Sequence, residues 1–315
     1  MIVTLTPNPS IDRTIAVPQL DHGEVNRATS SRIDPGGKGV NVSRALSANG
    51  SRTVAVMPMG GPEGHLMAEL LDVAGVSHHG VAVDGNLRMN VAVVEPDGTT
   101  TKVNEPGPAF GPEETEALLA AVESYAVSSG WVVGCGSLPP GAPESLLADL
   151  VTRLRAKGCK VAIDSSGAPM VPAVAARPDL IKPNHEELEE LVGTPLTTVG
   201  DVVAAAQRLV AGGIGTVVVS LGKHGAVAVS PEGVFQASAH IARPVSTVGA
   251  GDSLLAGFLH AVCRDAGTAE ALATGVAWGS AAVSLPGSRM PTPEDVAAIA
   301  VTSTTDIDLA RPLTD

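Results

Sequence analysis

Short runs rich in valine and isoleucine alternate along the chain with longer stretches rich in alanine and leucine. This alternation is typical of βαβ units, in which helices cover a buried parallel sheet. Glycine or polar residues follow most of the runs, so we expect ligand-binding residues to gather at the carboxyl edge of one sheet. The predicted strands lie at residues 54–57, 131–135, 161–164, 180–182 and 216–220.

Two regions, residues 11–34 and 87–105, interrupt this alternation. The second region contains Pro96-Asp97-Gly98, a sequence that favours a tight turn between two strands. It therefore predicts a hairpin and a small sheet outside the main one. The polar chain after Thr302 is interpreted as surface chain without an assigned role.

Composition and charge exclude several classes of partner. The chain has 315 residues, of which 44% are hydrophobic and 17% charged, so it can bury a large core. A net charge of -13 without a sustained basic stripe argues against nucleic acid as a partner. No signal peptide and no apolar run of about 18 residues is evident, which predicts a cytoplasmic protein with no membrane partner. Three cysteines without a C-x-x-C pair predict reduced thiols.

The most informative segment is a glycine turn that leads into an apolar helix at residues 247–258. Its N–H groups, from Gly249, Ala250 and Gly251, would lie at the positive end of the helix dipole and form an anion hole for a migrating phosphoryl group. Asp252, in the first helical turn, is the candidate catalytic base. An ordinary loop followed by a capping aspartate is the alternative interpretation.

Two common nucleotide-binding motifs are absent from the sequence. Gly37-Lys38 is followed by Gly39, and Gly222-Lys223 by His224, so neither segment forms a Walker A motif. No G-x-G-x-x-G follows a predicted strand. These absences exclude a P-loop site and remove the main argument for a dinucleotide enzyme.

A second glycine turn, Gly36-Gly37, also leads into a helix, in which Lys38, Asn41 and Arg44 are interleaved with apolar residues. Glycine allows close approach of the backbone to a ligand, and lysine supplies a point charge. The segment suits a hydroxylated, negatively charged small molecule. A strand-to-helix turn with solvated charges is the alternative.

Residues 36–44 and 245–257 resemble, in the right order, the two signatures of the ribokinase-like, or phosphofructokinase B, carbohydrate kinases. The resemblance covers nearly the whole chain. It implies a single α/β kinase domain over residues 1–315, with the ribokinase-like three-layer fold, a central mostly parallel sheet and a small β-sheet lid from residues 11–34 and 87–105. A second copy commonly covers the exposed face of such a lid, so we expect a homodimer, although a helix of the same chain is an alternative cover.

The same resemblance implies ATP and Mg²⁺ as cofactors. Lys182 and Asn184 match residues near the triphosphate, and Glu187 completes an N-x-x-E pattern associated with magnesium, which it would bind through water. The nucleotide loop is implied by Ser220, Gly222 and Gly225.

For the acceptor, residues 5–12, 135–141 and 182–187 are similar to the phosphosugar kinases of the family, especially the bacterial enzymes acting on fructose 1-phosphate. Asp12 suits sugar hydroxyls, because a carboxylate accepts two hydrogen bonds. The other candidate acceptor contacts are Gly36, Gly37, Lys38, Asn41 and Arg88, with Arg27, Lys102 and Ser137 as weaker ones.

We therefore expect ATP-dependent phosphorylation of D-fructose 1-phosphate to D-fructose 1,6-bisphosphate. Local cations support a phosphorylated acceptor, whose charge must be neutralised near ATP. Fructose 6-phosphate and tagatose 6-phosphate are the alternative acceptors. A sugar-phosphate sensor without turnover is the alternative outside catalysis, and the intact Asp252 and glycine turn argue against it.

Overall fold

The computed structural model describes residues 1–313, which form two β-sheets and the helices around them. The strands are β1 (Ile2–Leu5), β2 (Ser10–Ala16), β3 (Ser30–Gly36), β4 (Thr53–Met59), β5 (His78–Ala82), β6 (Arg88–Val94), β7 (Thr100–Asn104), β8 (Trp131–Cys135), β9 (Lys160–Asp164), β10 (Leu180–Ile181), β11 (Thr216–Ser220), β12 (Ala226–Ser230), β13 (Gly233–Ala239) and β14 (Val301–Thr304). The helices are α1 (Lys38–Ala48), α2 (Gly61–Val73), α3 (Pro112–Tyr125), α4 (Leu146–Ala156), α5 (Met170–Ala175), α6 (His185–Val192), α7 (Val199–Ala211), α8 (Ala250–Val262), α9 (Thr268–Val283) and α10 (Pro293–Ala297).

The main sheet has ten strands in the order β14-β13-β12-β11-β10-β9-β8-β1-β4-β5. All neighbours from β11 to β5 are parallel, whereas β12, β13 and β14 are added in antiparallel orientation. The predicted strands correspond to β4, β8, β9, β10 and β11. The mostly parallel central sheet is therefore confirmed.

Side chains of the main sheet alternate between two apolar layers. Val132 belongs to one buried cluster and Val133 to the other, and Val217 and Val218 divide in the same way. The first cluster includes buried residues of α3, α4 and α7, and the second includes those of α1, α8 and α9. Because successive side chains of a strand point to opposite faces, helices cover the sheet on both sides. This is the three-layer fold predicted above.

The small sheet has four strands in the order β3-β2-β6-β7. Strands β6 and β7 are antiparallel and form the predicted hairpin, with Gly98 at φ 93° in the turn. One face is apolar, and its residues Ile11, Ile33 and Met89 pack against buried side chains of α1 and α2. The opposite face carries Asp12 and Asn90, which are paired across β2 and β6. The small sheet therefore directs polar side chains away from its own core.

The chain after Thr302 lies at the surface, as expected, but it contributes to the fold. Residues 301–304 form β14, which pairs with β13 at the edge of the main sheet. Farther along, Val199 N–H donates to the carbonyl of Arg311 at 3.0 Å, and Leu313 N–H donates to that of Thr197 at 2.9 Å. Residues 301–304 lie at a sheet edge, where the backbone supplies the contacts, and farther along Ile307 and Leu313 pack against the first apolar cluster.

The helices and the cysteines of residues 1–313 relate to two expectations drawn from composition. None of the helices there is at once long and apolar enough to cross a membrane. The cysteines of this part are all free, and Cys135 and Cys159 are buried. Burial raises the pKa of the Cys135 thiol well above its ordinary value. Cys135 is therefore a packing residue rather than a reactive thiol.

Candidate active site

The glycine turn before α8 has the backbone that its sequence predicts. Gly249 is the residue before the helix and has φ 75°, in the left-handed region. Ala250 N–H donates to the carbonyl of Thr247 at 3.3 Å. The N–H groups of Gly251 and Asp252 have no acceptor within residues 1–313. Free amides at a helix N-terminus are suited to an anion, and the role of an anion hole stays a prediction.

Asp252 is buried in the first turn of α8, where Asn41 Nδ2 of α1 donates to its Oδ2 at 2.9 Å. Burial, together with repulsion from the carboxylate of Asp164, raises the pKa of Asp252 to about 6. The bond from Asn41 and the ammonium groups of Lys38 and Lys182 oppose this rise. Since the pKa lies near neutrality, the carboxylate is ionised at pH 7 and can accept a proton.

The second glycine turn brings the small sheet to the start of α1. Gly37 has φ 109°, and α1 begins at the next residue. A Cβ atom on Gly36 would overlap the carboxylate of Asp12, so a larger residue here would displace that carboxylate. Asp12 therefore lies directly against the backbone of the glycine turn, between the small sheet and the helix.

Asp12 is held by its neighbours on the polar face of the small sheet. It accepts hydrogen bonds from Ser10 Oγ at 2.6 Å and from Asn90 Nδ2 at 3.1 Å. Burial raises the pKa of Asp12, although these bonds and the guanidinium groups of Arg88 and Arg44 oppose the rise. The structure thus brings the predicted residues Asp12, Gly36 and Arg88 together. Ser10 and Asn90 were missed by the sequence analysis.

An ion-pair cluster, formed by Lys38, Asp164, Lys182 and Glu187, surrounds the buried carboxylate of Asp164 between the two glycine turns. Asp164 Oδ1 contacts Lys38 Nζ at 2.8 Å, and its Oδ2 contacts Lys182 Nζ at 3.2 Å. Lys38 Nζ also contacts Glu187 Oε1 at 3.3 Å. Burial alone would raise the pKa of Asp164, but the ammonium groups of Lys182 and Lys38 hold it below its ordinary value. Asp164, which ends β9, was missed by the sequence analysis.

The predicted nucleotide residues adjoin this cluster. Lys182 Nζ lies 3.3 Å from the position that a Cβ on Gly251 would take. Asn184 precedes α6 and forms a β-bridge with Ser220 at the end of β11. Lys182, Asn184 and Ser220 therefore lie at the carboxyl ends of neighbouring strands, as expected for an open α/β sheet, and Lys182 reaches the turn at Gly251.

Asn184 and Glu187 also have a structural role that the sequence analysis did not assign. Asn184 Oδ1 accepts from the N–H of Glu187 at 2.7 Å, and Glu187 Oε2 accepts from the N–H of Asn184 at 2.9 Å. This is a capping box, which satisfies two amides at the start of α6. His185, between them, donates a hydrogen bond from Nε2 to the carbonyl of Leu196 and is no ligand in this arrangement.

Gly222 and Gly225 lie in the turn between β11 and β12, and only one of them is enclosed. Gly225 has φ 83° and ψ -130°, and a Cβ there would overlap the carbonyl oxygen of Ala237. Gly222 has φ 54° and open space around it. The turn joins two antiparallel strands and is therefore a hairpin turn. This geometry is compatible with the predicted role as a nucleotide loop.

We expect Gly225→Ala to lower the free energy of unfolding by about 2–4 kcal/mol, since it adds steric overlap to a backbone conformation disfavoured for L-residues. Gly222→Ala is the matched control and should cost about 1 kcal/mol, because its conformation is left-handed but uncrowded. Urea unfolding of both variants measures the difference. Equal losses of stability would contradict the assignment of the overlap to Gly225.

Three weaker candidates are not brought into this arrangement by any hydrogen bond or ion pair within residues 1–313. Ser137 is exposed in the loop after β8, next to Gly136, which faces the Lys38 side chain. Lys102 is exposed on β7, two positions from Asn104, the partner of Asn90. Arg27 is exposed in the loop between β2 and β3, at the end of these strands opposite Gly36. Their roles stay predictions.

The residues that suit a metal ion are few. Within residues 1–313 there is no group of three or more His, Cys, Asp or Glu side chains with metal-binding geometry. Both oxygens of Asp164 contact ammonium groups, and Glu187 is contacted by Lys38 and by the amide of Asn184. The donor set fits Mg²⁺, which keeps several waters and takes other ligands from phosphate, and does not fit an ion that needs a protein cage.

A three-layer α/β fold with a glycine turn, a buried carboxylate and two lysines at one sheet edge defines a phosphotransferase for small molecules. The chain belongs to the pfkB family of carbohydrate kinases, whose family model matches residues 6–295. Its acceptor is therefore a carbohydrate.

Individual relatives narrow the class to kinases of fructose phosphates. The chain is 38% identical over 305 residues to the 1-phosphofructokinase of Rhodobacter capsulatus, covering 96% of each chain. It is 36% identical over 300 residues to the ATP-dependent 6-phosphofructokinase isozyme 2 of Escherichia coli, covering 93% of this chain and 96% of that one. The crystal structure of phosphofructokinase-2 from Escherichia coli in complex with substrates and products superposes with a TM-score of 0.90 at 35% identity, covering 94% of this chain and 97% of that one.

Proposed function

We propose that the protein transfers the γ-phosphoryl group of ATP to the 6-hydroxyl of D-fructose 1-phosphate, giving D-fructose 1,6-bisphosphate and ADP. The observation that carries this proposal is the position of Asp252. Its buried carboxylate begins α8 beside free backbone amides, and Asn41 links it to the glycine turn next to Asp12. A base between an acceptor site and an anion hole is the arrangement that phosphoryl transfer requires.

The acceptor is assigned to the polar face of the small sheet and the start of α1. Asp12 and Asn41 would bind sugar hydroxyls, and Gly36 and Gly37 let the sugar approach the backbone. Arg88 supports a phosphorylated acceptor, because its buried Nε has no hydrogen-bond partner within residues 1–313. A guanidinium with an unused donor suits a phosphate oxygen. Lys38 would add a second positive charge from α1.

In the transfer step, an oxygen–phosphorus bond forms between O6 of the sugar and the γ-phosphorus as the bond from that phosphorus to ADP breaks. Asp252 accepts the proton that O6 loses. The proton moves late, because an alcohol is a weak acid, so orientation of the hydroxyl matters more than strong basicity. The amides of the turn from Gly249 to Gly251 and the ammonium group of Lys182 stabilise the negative charge on the moving group.

The nucleotide is assigned to the opposite side of the turn, along Lys182, Asn184 and the loop from Ser220 to Gly225. Glu187 would hold Mg²⁺ through water, since protein donors already contact both of its oxygens. When bound, Mg²⁺ neutralises charge on the phosphate oxygens of ATP. Lys38 contributes by holding the Glu187 carboxylate in place.

We also propose that the chain is one kinase domain in which the small sheet is a lid over the sugar. A second copy would cover its apolar face. Val103 on β7 supports this assembly, because its side chain is 62% exposed on the face that carries Met89 and Ile11. The part of this face at Ile11 and Met89 is covered by α1 and α2, whereas the part at Val103 is exposed, and exposed apolar surface is typical of a protein interface. Lys102 and Arg27 would then lie at the border of the lid.

Fructose 6-phosphate is the second candidate acceptor, favoured by the similarity to the 6-phosphofructokinase isozyme. Both substrates are furanoses with a CH₂–O group at each end. A pocket built from Asp12, Asn41 and Arg88 therefore accepts either of them, in opposite orientations. The two acceptors differ in which end of the sugar, C1 or C6, carries the phosphate that would contact Arg88.

The test is ADP release with MgATP and fructose 1-phosphate, fructose 6-phosphate, tagatose 6-phosphate or ribose in parallel. We expect kcat/KM for fructose 1-phosphate to be at least about tenfold above the others, which corresponds to about 1.4 kcal/mol of discrimination. Preference for another phosphosugar would keep the mechanism and replace the acceptor. Binding of a sugar phosphate without turnover would overturn catalysis and favour the sensor.

A further inference from the structure

The amide of Asn41 lies between two charged groups of opposite sign. Its Nδ2 donates to Asp252 Oδ2 at 2.9 Å, and its Oδ1 accepts from Arg44 NH1 at 3.0 Å. All three side chains are buried. The Asn41 amide therefore connects Arg44, one turn farther along α1, to Asp252 at the start of α8 through two hydrogen bonds.

The chemistry of the two outer groups allows only one orientation of this amide. A guanidinium has five N–H donors and no acceptor, so the atom of Asn41 that faces Arg44 must be the oxygen. An ionised carboxylate only accepts, so the atom that faces Asp252 must be the nitrogen. A reversed amide would place its oxygen against Asp252 and would favour the protonated carboxyl, which is no base.

Arg44 is itself fixed by the strand that leads into the glycine turn. Its NH1 also donates to the carbonyl of Pro35 at 3.0 Å, and its NH2 lies 3.8 Å from Asp34 Oδ1. Asp34 in turn accepts two hydrogen bonds from Arg32. Because Pro35 and Asp34 belong to β3, Arg44 connects the small sheet to the orientation of the Asn41 amide.

We propose that Arg44 is a positioning residue, which holds the Asn41 amide in the orientation that keeps Asp252 unprotonated and ready to accept a proton. The inference rests on the proposed role of Asp252 as the base. Arg44 makes no hydrogen bond to Asp252 within residues 1–313, and its charge also acts on that carboxylate directly. The part of its effect that passes through the amide must be lost when Asn41 is removed.

Other charged groups act on the same carboxylates and must be held constant in the test. Asp252 is influenced by Lys38 from α1, by Asp164 from the end of β9 and by Lys182 after β10. Arg44 is influenced by Asp34, Arg32 and Asp12 from the small sheet and by Asp252 itself. Lys38, Asp164, Lys182, Asp34, Arg32 and Asp12 are all left unchanged, and Asp252 is replaced only to assign its NMR signal.

Two substitutions at position 44 test whether a donor-only side chain is needed to fix the orientation of the Asn41 amide. Arg44→Lys keeps a donor-only group, so the amide keeps its direction. Arg44→Gln can donate to the oxygen of Asn41 or accept from its nitrogen, so it selects no direction. The readout is the titration of the Asp252 carboxyl, followed by ¹³C NMR of aspartate-labelled protein and assigned by the signal that Asp252→Asn removes. It requires no turnover, so it is independent of the acceptor.

We expect the Asp252 midpoint to rise by about one pH unit in Arg44→Gln, a tenfold change in its proton affinity, and by less than about 0.3 units in Arg44→Lys. The low-pH limb of kcat should move by the same amount, and kcat at pH 9 should return to within about twofold of the unchanged protein. A purely structural defect would instead lower kcat at every pH.

The same substitution in an Asn41→Leu background provides the control for charge. If Arg44 acts through the amide, Arg44→Gln shifts the Asp252 midpoint much less in that background, and the remaining shift is the direct effect of the lost charge. An equal shift with and without Asn41 would show a direct charge effect and overturn the inference, as would an unchanged midpoint in Arg44→Gln. Failure of the proposed function is distinguishable, because the unchanged protein would then release no ADP with any acceptor, whatever the NMR midpoints.

Discussion

Asp252→Asn is expected to lower kcat by about 10²–10⁴-fold, while KM for MgATP and for the sugar phosphate changes by only a few-fold. The replacement keeps the shape of the side chain and leaves an oxygen to accept the bond from Asn41. It removes only the capacity to take the proton from the attacking hydroxyl. Steady-state ADP release at saturating concentrations of both substrates measures the loss.

The same substitution should leave the folded protein at least as stable at pH 7.5. Asp252 has a folded-state pKa of about 6, above the ordinary value of 3.8, because burial and Asp164 disfavour the charged form. A carboxyl with a raised pKa destabilises the folded state as pH rises from about 4 to 6, since the unfolded chain ionises first. Asparagine carries no charge, so it avoids this cost, and thermal unfolding should show an equal or higher Tm.

Asp149→Asn is a suitable control for that experiment. Asp149 also lies in the first turn of a helix and accepts one side-chain hydrogen bond, from Ser145 at 3.0 Å. It is remote from the glycine turns in the fold, on a helix of the other layer. Its loss should leave kcat unchanged. A kcat within tenfold of the unchanged protein for Asp252→Asn would contradict the assignment of the base.

The positions of the central strands followed from local sequence because burial on both faces imposes a simple pattern. Val132 and Val133 enter opposite apolar layers, so both must be apolar, and the strand becomes a continuous hydrophobic run. The antiparallel edge lacked this signal. Residues 301–304 face solvent over most of their length, and their pairing with β13 depends on backbone contacts that composition does not reveal.

Within the site, the sequence predicted the positions whose backbone is unusual. Gly37 and Gly249 have positive φ values before a helix, and such turns have a recognisable sequence. The partners of the charged side chains were not predictable in the same way. Lys38 meets Asp164 across 126 positions of the chain, and only the assembled sheet brings them together. One feature of the sequence could have identified Asp164 as a site residue, namely its position at the carboxyl end of the hydrophobic run that forms β9.

The roles of Arg27 and Lys102 could not be predicted from local sequence for a different reason. Their assignment depends on the resemblance to the family, and neither has a partner within residues 1–313 that would fix its side chain. The capping box of Asn184 and Glu187, in contrast, can be predicted from a local pattern, an asparagine followed three residues later by a glutamate. Local rules therefore identify caps and turns, whereas ligand contacts from exposed loops require the bound ligand.

Asp164→Asn is expected to lower the free energy of unfolding by about 3–5 kcal/mol at neutral pH. The carboxylate is completely buried between two ammonium groups, and the Lys182 side chain is only 4% exposed. Without Asp164, the amine of Lys182 would lose its carboxylate partner in a site that water scarcely reaches. Because those ammonium groups hold the folded-state pKa of Asp164 below its ordinary value, the stabilisation is complete above pH 4 and is lost as pH falls through the lower, folded-state value.

Glu187→Gln is the matched control, because Glu187 contacts the same Lys38 ammonium but its side chain is 19% exposed. It should cost about 1 kcal/mol or less. Urea unfolding at pH 7 compares the two variants, and Lys182→Met combined with Asp164→Leu tests the cause. If an unpaired buried charge is the source of the loss, removing both charges should restore much of the stability that Asp164→Asn loses. A double variant as unstable as Asp164→Asn would instead assign the loss to packing around β9.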